Sequence, residues 1–176
     1  MMERYMKLLF HCCCAPCIST CITALRCEEI DCDLFWYNPN IHPYSEYKAR
    51  LETLCEYTDK ENLKLEKIEE YGLQEFMNEV HPEANRCEKC YRIRLEKTAY
   101  IAAHNGYSSF STSLLVSPYQ DHDTICCIGR ELADKYSVEF FYRDFRHFFR
   151  EGQAAARKSG IYMQKYCGCT FSASTS

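Results

Sequence analysis

The segment Lys7-Leu8-Leu9-Phe10-His11-Cys12-Cys13-Cys14-Ala15-Pro16-Cys17 decides the fold of this chain. A short apolar run, Leu8–Phe10, is followed directly by a helical pattern that begins at Pro16. Proline is favoured in the first turn of a helix, because its missing N–H would have no partner inside the helix. The segment therefore predicts a buried strand, a turn built from cysteines, and a helix.

The same alternation of short apolar runs and longer helical patterns continues to residue 159. The predicted strands are Met6–His11, Asp33–Tyr37, Lys64–Ile68, Ser109–Leu115 and Val138–Tyr142. The predicted helices are Pro16–Glu28, Tyr44–Glu61, Leu73–Val80, Glu88–His104, Asp121–Tyr136 and Arg150–Ser159. Helices between successive strands indicate crossover connections, and hence an α/β fold with a parallel sheet covered on both faces.

Two motifs are expected at one edge of this sheet. Cys12–Cys17 follows the first strand, and Ser117–Asp121 follows the fourth. Ligands of open parallel sheets bind beyond the carboxyl ends of the strands, in the crevice where the strand order reverses. The sequence therefore predicts a functional site that contains both motifs.

Two further cysteine groups accompany the first, Cys87-Glu88-Lys89-Cys90 and Cys167-Gly168-Cys169. Thiolates bind soft metals and iron–sulfur clusters, and a helix N-terminus after Cys12–Cys17 favours them by lowering thiol pKa values. The alternative for this first group is that its cysteines act as small buried hydrophobic residues. Cys87 and Cys90 have a spacing used by both zinc and iron–sulfur sites, or form an incidental pair. Cys167 and Cys169 are either a redox pair or further metal ligands.

The composition restricts the class of protein. The chain has 176 residues, 47% hydrophobic residues, 14 cysteines and a net charge of −4, which suits one domain and excludes a polycation. A secreted, disulfide-linked scaffold is the alternative for so many cysteines, but such scaffolds are short and rich in loops. No stretch has the length of a signal-peptide core or a membrane span, so a reducing cytoplasm is expected. The cysteines without partner spacing are read as core or surface residues: Cys21, Cys27, Cys32, Cys55, Cys126 and Cys127.

The segment Phe140–Arg150 interleaves aromatic and basic side chains, and the basic residues continue through Arg157, Lys158 and Lys165. Aromatic rings stack on unpaired bases and cations hold phosphates, so the segment indicates RNA contact. A buried strand followed by an amphipathic element is the alternative. Asp121 is either an iron ligand or proton donor, or the N-cap of the next helix. No glycine-rich phosphate loop occurs, which argues against a nucleotide cofactor.

These motifs together resemble the QueH family, the non-cobalamin class of epoxyqueuosine reductases. The resemblance rests on four stretches that follow in order through nearly the whole chain: Leu8–Cys17, Arg86–Ala99, Leu114–Asp121 and Gln164–Ser172. It implies an oxidoreductase that reduces the epoxide of epoxyqueuosine at the wobble position of tRNA, which is the last step of queuosine synthesis. It also implies a Rossmann-like sheet similar to the adenine nucleotide α-hydrolase superfamily.

The resemblance implies a 4Fe-4S cluster and an additional iron beside it. Its cluster ligands correspond to Cys13, Cys14, Cys87 and Cys90, with Cys12 at a variable position. Cys167 and Cys169 match a redox-active disulfide pair. Cys17 and Asp121 also match family positions, and the resemblance implies that either of them can contact the extra iron. These assignments are expectations from the family.

The resulting hypothesis is one catalytic α/β domain over residues 1–176 with a flexible tail at 172–176. It acts on the anticodon loop of tRNA and needs an electron donor that the sequence does not identify; no membrane partner is expected. Two alternatives remain at this point. One is a tRNA sulfur-transfer enzyme of the PP-loop kind, and the other is a zinc-structured RNA-binding module without catalysis.

Overall fold

The computed structural model describes residues 7–81 and 84–173. It contains a five-stranded parallel sheet in the order β3-β2-β1-β4-β5. The strands are β1 Leu8–His11, β2 Cys32–Trp36, β3 Leu65–Lys67, β4 Ser109–Thr112 and β5 Glu139–Phe140. The helices are α1 Ala15–Cys27, α2 Tyr44–Glu61, α3 Leu73–Val80, α4 Arg86–His104, α5 His122–Tyr136, α6 Phe149–Lys158 and α7 Thr170–Ala173. The predicted α/β class and parallel sheet are confirmed.

The central strand β1 is buried along its whole length, as expected for a strand covered on both faces. It pairs with β2 on one side and with β4 on the other, so the chain reverses its direction of growth at β1. Right-handed crossovers then place α1 and α2 on one face and α4 and α5 on the other. Helix α6 packs on α1, and α4 packs on α5.

Two predicted strands are shorter in the structure. The run expected to be a strand through Leu115 leaves the sheet after Thr112 and continues as a 3-10 turn, Ser113–Val116. The Thr112 hydroxyl accepts a hydrogen bond from the Leu114 N–H, which stabilises this turn in place of further strand pairing. Strand β5 is limited to Glu139–Phe140 because it lies at the sheet edge and pairs with β4 alone.

The other boundaries agree within about two residues, a normal uncertainty for element ends. Met6 and residues 174–176 lie outside the described residues. Ser172 and Ala173, which were expected in a flexible tail, belong to the short helix α7. No helix of the described chain is long and apolar enough to cross a membrane.

Buried His11 ties the end of β1 to its neighbours. Its Nε2 donates to the Tyr37 carbonyl at 3.1 Å, and its Nδ1 accepts from the Thr112 hydroxyl at 3.0 Å. Burial, assisted by nearby Arg94, lowers the pKa of His11 to about 4, so the imidazole is neutral at pH 7. This interaction fixes the strand end from which the first cysteine group emerges.

Candidate metal centre

The turn between β1 and α1 brings three thiols together. The sulfur atoms of Cys13, Cys14 and Cys17 all lie within 4.8 Å of one another. Cys14 occupies the N-cap position of α1, but its side chain makes no hydrogen bond to the helix. Its sulfur is therefore free to contact the other two thiols. The Ser113 hydroxyl approaches from the 3-10 turn after β4 and donates to the Cys13 sulfur at 3.2 Å. The two strand ends at the reversal point therefore build one site, as the topology predicts.

Cys12 is not part of this cluster. Its fully buried thiol donates to the Phe10 carbonyl at 3.3 Å, and its backbone N–H pairs with the Phe35 carbonyl. Adjacent extended residues point in opposite directions, which turns Cys12 into the core and Cys13 toward the cluster. The structure thus separates Cys12 from the adjacent pair Cys13 and Cys14.

The neighbouring thiols and the Ser113 hydroxyl stabilise negative charge on the Cys13 sulfur. Hydrogen bonds from the Cys14 and Cys17 thiols, with a further one from Ser113, hold the pKa of Cys13 well below its usual range. Burial, and the hydrogen bond to Cys13, raise the pKa of Cys14. The hydrogen bonds to Cys13 and Cys14 are the main causes that raise the pKa of Cys17. Three sulfur atoms this close together form a soft donor set suited to a transition metal.

The second cysteine group lies in the first turns of α4. Cys90 is buried and Cys87 is exposed, and both line the same cavity as Cys13 and Cys17. Burial raises the pKa of Cys90 to about 11, although the Arg94 guanidinium opposes this effect. Arg94 Nη2 donates to the Cys90 sulfur at 3.2 Å.

The third group, Cys167-Gly168-Cys169, forms a loop whose two cysteines line the same cavity. Both cysteines are free thiols, with Cys167 exposed and Cys169 half-buried. Cys169 packs beside Cys90 and Phe76. Gly168 has φ +111°, a conformation that L side chains rarely adopt, so glycine is required between the two thiols.

A buried ion pair anchors this loop to α2. Arg50 is 2% exposed and its Nε donates to Glu46 at 2.7 Å. The two Nη atoms of Arg50 donate to the carbonyl oxygens of Tyr166 and Cys167, at 2.8 and 3.1 Å. The His42 N–H donates to the Gly168 carbonyl at 2.8 Å. The position of the dithiol loop is therefore fixed by hydrogen bonds from Arg50 and from the His42 backbone.

All three groups open into one cavity of about 850 Å³. Six cysteines line it: Cys13, Cys17, Cys87, Cys90, Cys167 and Cys169. Six cations also line it: Arg50, Arg86, Arg94, Arg150, Arg157 and Lys165. Among the described residues of the lining, none is acidic. In a chain of net charge −4, this concentrates positive potential at the cysteine site.

A second cavity, about 920 Å³, lies between α1, α2 and α6. Its lining is of mixed charge and contains a single cysteine, Cys27. None of the cysteines read as core or surface residues lines the 850 Å³ cavity. The chemistry of the lining, rather than the volume, therefore identifies the 850 Å³ cavity as the candidate functional site.

Asp121 is placed differently from the cysteines. Its carboxylate caps α5 by accepting from the Thr124 N–H and hydroxyl, at 3.1 and 2.8 Å. It does not line the cavity, but its neighbours Gln120 and Tyr119 do. Tyr91, which also lines the cavity, joins these groups because its hydroxyl donates to the Gln120 side chain and accepts from the Asp121 N–H.

The aromatic and basic segment is divided between two roles. Phe145 is buried in the core, and Arg143 and Arg146 pair with Glu28 and Asp144. In contrast, Arg150, Arg157 and Lys165 face the cavity. Tyr119, 84% exposed, stands at the same rim with its ring edge-on to Phe149.

Sequence reasoning missed three residues of the site. Gln164 Nε2 donates to the Cys14 sulfur at 2.8 Å and lies 3.8 Å from the Cys17 sulfur. Arg50 and Arg94 lie in the middle of helical patterns. Of the three, only Arg94 could have been found from the sequence, because a residue four positions after Cys90 lies on the same face of a helix.

Comparisons with known proteins show what the chain as a whole is similar to. A family model described as epoxyqueuosine reductase QueH matches residues 8–175. The chain is 38% identical over 176 residues to epoxyqueuosine reductase QueH of Thermotoga maritima, with 94% of this chain and 89% of the relative covered. It is 35% identical over 167 residues to the protein of that name from Dehalococcoides mccartyi, with 94% and 92% covered.

Two solved structures share the fold. One is the U34-tRNA thiolase NcsA of Methanococcus maripaludis with its [4Fe-4S] cluster, at a TM-score of 0.64 and 11% identity. This match covers 97% of the present chain and 62% of the thiolase. The other is a predicted subunit of a tRNA methyltransferase from Methanocaldococcus jannaschii, at a TM-score of 0.53, 12% identity, and coverage of 90% and 92%. At this identity they show the fold alone, whereas the family model and the relatives show that the chain belongs to the epoxyqueuosine reductase QueH family.

Proposed function

We propose that this chain acts as a single catalytic domain that reduces the epoxide of epoxyqueuosine in tRNA to the cyclopentene of queuosine. The observation that carries the proposal is the convergence of three cysteine groups on one cavity lined by cations. The family name supports the reaction, and the lining supports a polyanionic substrate.

The donor set fits a 4Fe-4S cluster. Such clusters are held by four cysteine thiolates. Cys13 and Cys14, two of the three thiols within 4.8 Å of one another, supply half of such a site, and Cys87 and Cys90 line the same cavity as Cys13. In this proposal Cys13, Cys14, Cys87 and Cys90 hold the cluster, which supplies electrons one at a time. The solved thiolase shows only that a protein of this fold can carry a [4Fe-4S] cluster.

An additional iron would take Cys17, since the sulfur of Cys17 lies against Cys13 and Cys14 and faces the cavity. Asp121 would have to give up its hydrogen bonds to Thr124 to reach such an ion. The geometry therefore supports a role for Cys17 more directly than one for Asp121. In the structure the Asp121 carboxylate serves as the N-cap of α5.

The dithiol can supply both electrons that the reduction requires. Reduction of an epoxide to an alkene breaks two C–O bonds, consumes two electrons and two protons, and releases water. Oxidation of Cys167 and Cys169 to a disulfide supplies two electrons and two protons. The external electron donor then reduces the disulfide before the next turnover. The arrangement of both thiols on a loop fixed by Arg50 supports this step.

The exposed cations are proposed to hold the anticodon loop. Arg86, Arg150, Arg157 and Lys165 are exposed at the cavity, where they could contact phosphates. Tyr119 offers its exposed ring to an unpaired base. A tRNA substrate would be modified in the cytoplasm, which is where we propose that the protein acts.

Anaerobically prepared enzyme, incubated with a low-potential reductant and tRNA that carries epoxyqueuosine, tests the proposal. Mass spectrometry of the digested nucleosides should show queuosine, lacking one oxygen atom. Cys167→Ser should abolish multiple turnover, and full multiple-turnover activity of this variant would exclude an essential dithiol. No queuosine from cluster-loaded wild-type enzyme would overturn the proposed reaction.

Sulfur transfer remains the competing reaction of this fold. The thiolase match is an argument about fold only, because its identity is 11%. The strand–helix turn that carries a phosphate loop in nucleotide-dependent relatives is built here from buried cysteines. Measured binding of ATP would favour sulfur transfer over reduction.

A further inference from the structure

Arg94 is a buried cation beside the cysteine site. It is 4% exposed and lies on α4, one turn after Cys90. Its Nε donates to the Cys90 carbonyl at 3.1 Å and its Nη2 donates to the Cys90 sulfur at 3.2 Å. Its guanidinium carbon lies 5.9 Å from the centre of the Tyr91 ring. Arg94 also lines the cavity.

Arg94 has no acidic partner among residues 7–81 and 84–173: none of the carboxylates there lies within 4.0 Å of it. The other buried arginine of the cavity, Arg50, does have one in Glu46. A buried charge is costly unless it is paired, and arginine does not lose its proton in proteins. The nearby titratable groups are the Tyr91 hydroxyl, the neutral His11, and the thiols of Cys13, Cys90 and Cys167. The negative charge that offsets Arg94 must therefore come from thiolates of these cysteines and from a centre that they hold.

We propose that Arg94 is the counter-charge of the thiolate-held centre and raises its reduction potential. The proposal rests on the proposed function, since it requires that the cysteines hold a cluster. A cluster with four cysteine ligands carries net negative charge, which becomes larger on reduction. Hydrogen bonds to its sulfurs and a nearby cation favour the reduced form. Arg94 supplies both through one side chain.

A contact with a substrate phosphate is the competing explanation. Arg86, Arg150, Arg157 and Lys165 are exposed and available for phosphates, whereas the two hydrogen bonds of Arg94 point at Cys90. The two explanations differ in what Arg94→Met changes. A counter-charge alters the potential of the centre without substrate, and a phosphate contact alters the affinity for tRNA.

The test compares Arg94→Met and Arg94→Lys with Arg92→Met in anaerobically reconstituted protein. Arg92 is a matched control, because it lies on the same helix but pairs with Glu131 at its surface. The midpoint potential is measured by redox titration, and thermal unfolding is measured with and without the cluster. We expect the potential to fall in Arg94→Met, to fall less in Arg94→Lys, and to stay unchanged in Arg92→Met.

Thermal unfolding of the cluster-free protein supplies a second criterion. Without its counter-charge Arg94 is an unpaired buried cation, so cluster-free Arg94→Met should unfold at a higher temperature than the cluster-free wild type. A wild-type potential in cluster-loaded Arg94→Met, or a lower unfolding temperature of its cluster-free form, would overturn the inference. A wild-type protein that takes up no iron and sulfide would instead overturn the proposed function.

Discussion

At the scale of single residues, the direction of each thiol decides what it can bind. Cys12, Cys13 and Cys14 are chemically identical neighbours, yet the extended backbone sends Cys12 into the core and Cys13 into the cavity. Helix geometry then brings Cys17 back to the pair. A spacing pattern alone does not distinguish these thiols, because direction depends on where the strand ends and the helix begins.

Cys13→Ala should therefore lose the metal centre, whereas Cys12→Ala should keep it. Cys13 contributes the low-pKa thiol of the cluster, and Cys12 contributes a core contact and one hydrogen bond to Phe10. Iron and sulfide analysis after reconstitution checks both variants. Equal iron in the two proteins would show that the turn presents its thiols in a different register.

Tyr119→Ala should weaken tRNA binding. An aromatic platform contributes about 1–3 kcal/mol for each stacked base, so the Kd for an anticodon stem-loop should rise by at least ~5-fold. Tyr119→Phe should bind like the wild type because it keeps the ring. Tyr100→Ala is the control, since Tyr100 is an exposed tyrosine on α4 that does not line the cavity. Unchanged binding of Tyr119→Ala would remove this residue from the interface.

At the scale of elements, the dithiol loop shows how a short segment is positioned by distant ones. Its conformation depends on Gly168, and its place depends on Arg50 of α2 and the His42 backbone. A Cβ atom at residue 168 would lie 2.9 Å from Ile41 Cγ1, which is too close for an ordinary contact. The loop therefore tolerates no side chain at this position without moving.

Gly168→Ala should reduce turnover strongly, because the two thiols would leave their place at the cavity. Gly160→Ala is a matched control: its φ is +72°, but no atom lies within 4 Å of the added Cβ. Both variants carry the strain of a left-handed residue, about 1 kcal/mol, and only the first meets the steric contact. Turnover and melting temperature should be measured together. Wild-type turnover in Gly168→Ala would contradict a fixed loop.

The elements themselves were largely predictable. Apolar runs separated by helical patterns predicted five parallel strands in a covered sheet, with the first cysteine group near Ser117–Asp121. The contact with Ser113 was not predicted, because Ser113 was expected inside the fourth strand. The predicted extension of β4 to Leu115 was wrong because a local hydrogen bond from the Leu114 N–H to the Thr112 hydroxyl favours a turn. Residues such as Arg50 and Gln164 could not be predicted, since their partners lie more than 100 positions away.

At the scale of the whole molecule, positive charge is concentrated at the cysteine cavity although the chain as a whole is negatively charged. The chain is acidic overall, while the described lining of the cysteine cavity has six cations and no acid. This arrangement attracts a polyanion to one face and repels it from the rest. It also explains why net charge alone was a poor guide to the substrate.

Binding of tRNA should consequently depend steeply on salt. If the four exposed cations each neutralise one phosphate of a single-stranded loop, a plot of log affinity against log salt should have a slope of about −3. Arg157→Gln should make the slope less negative by about 0.7. Filter binding or fluorescence anisotropy at several salt concentrations checks this. A slope near zero would show that these four cations do not contact the phosphates of the RNA.

The most direct test of the account is the metal content of protein purified anaerobically. The convergence of Cys13, Cys14, Cys87 and Cys90 predicts about four irons and four sulfides per chain, with broad visible absorption, and a fifth iron if Cys17 serves a second site. One zinc and no sulfide, after attempted reconstitution, would contradict the account and favour a zinc-structured RNA-binding module.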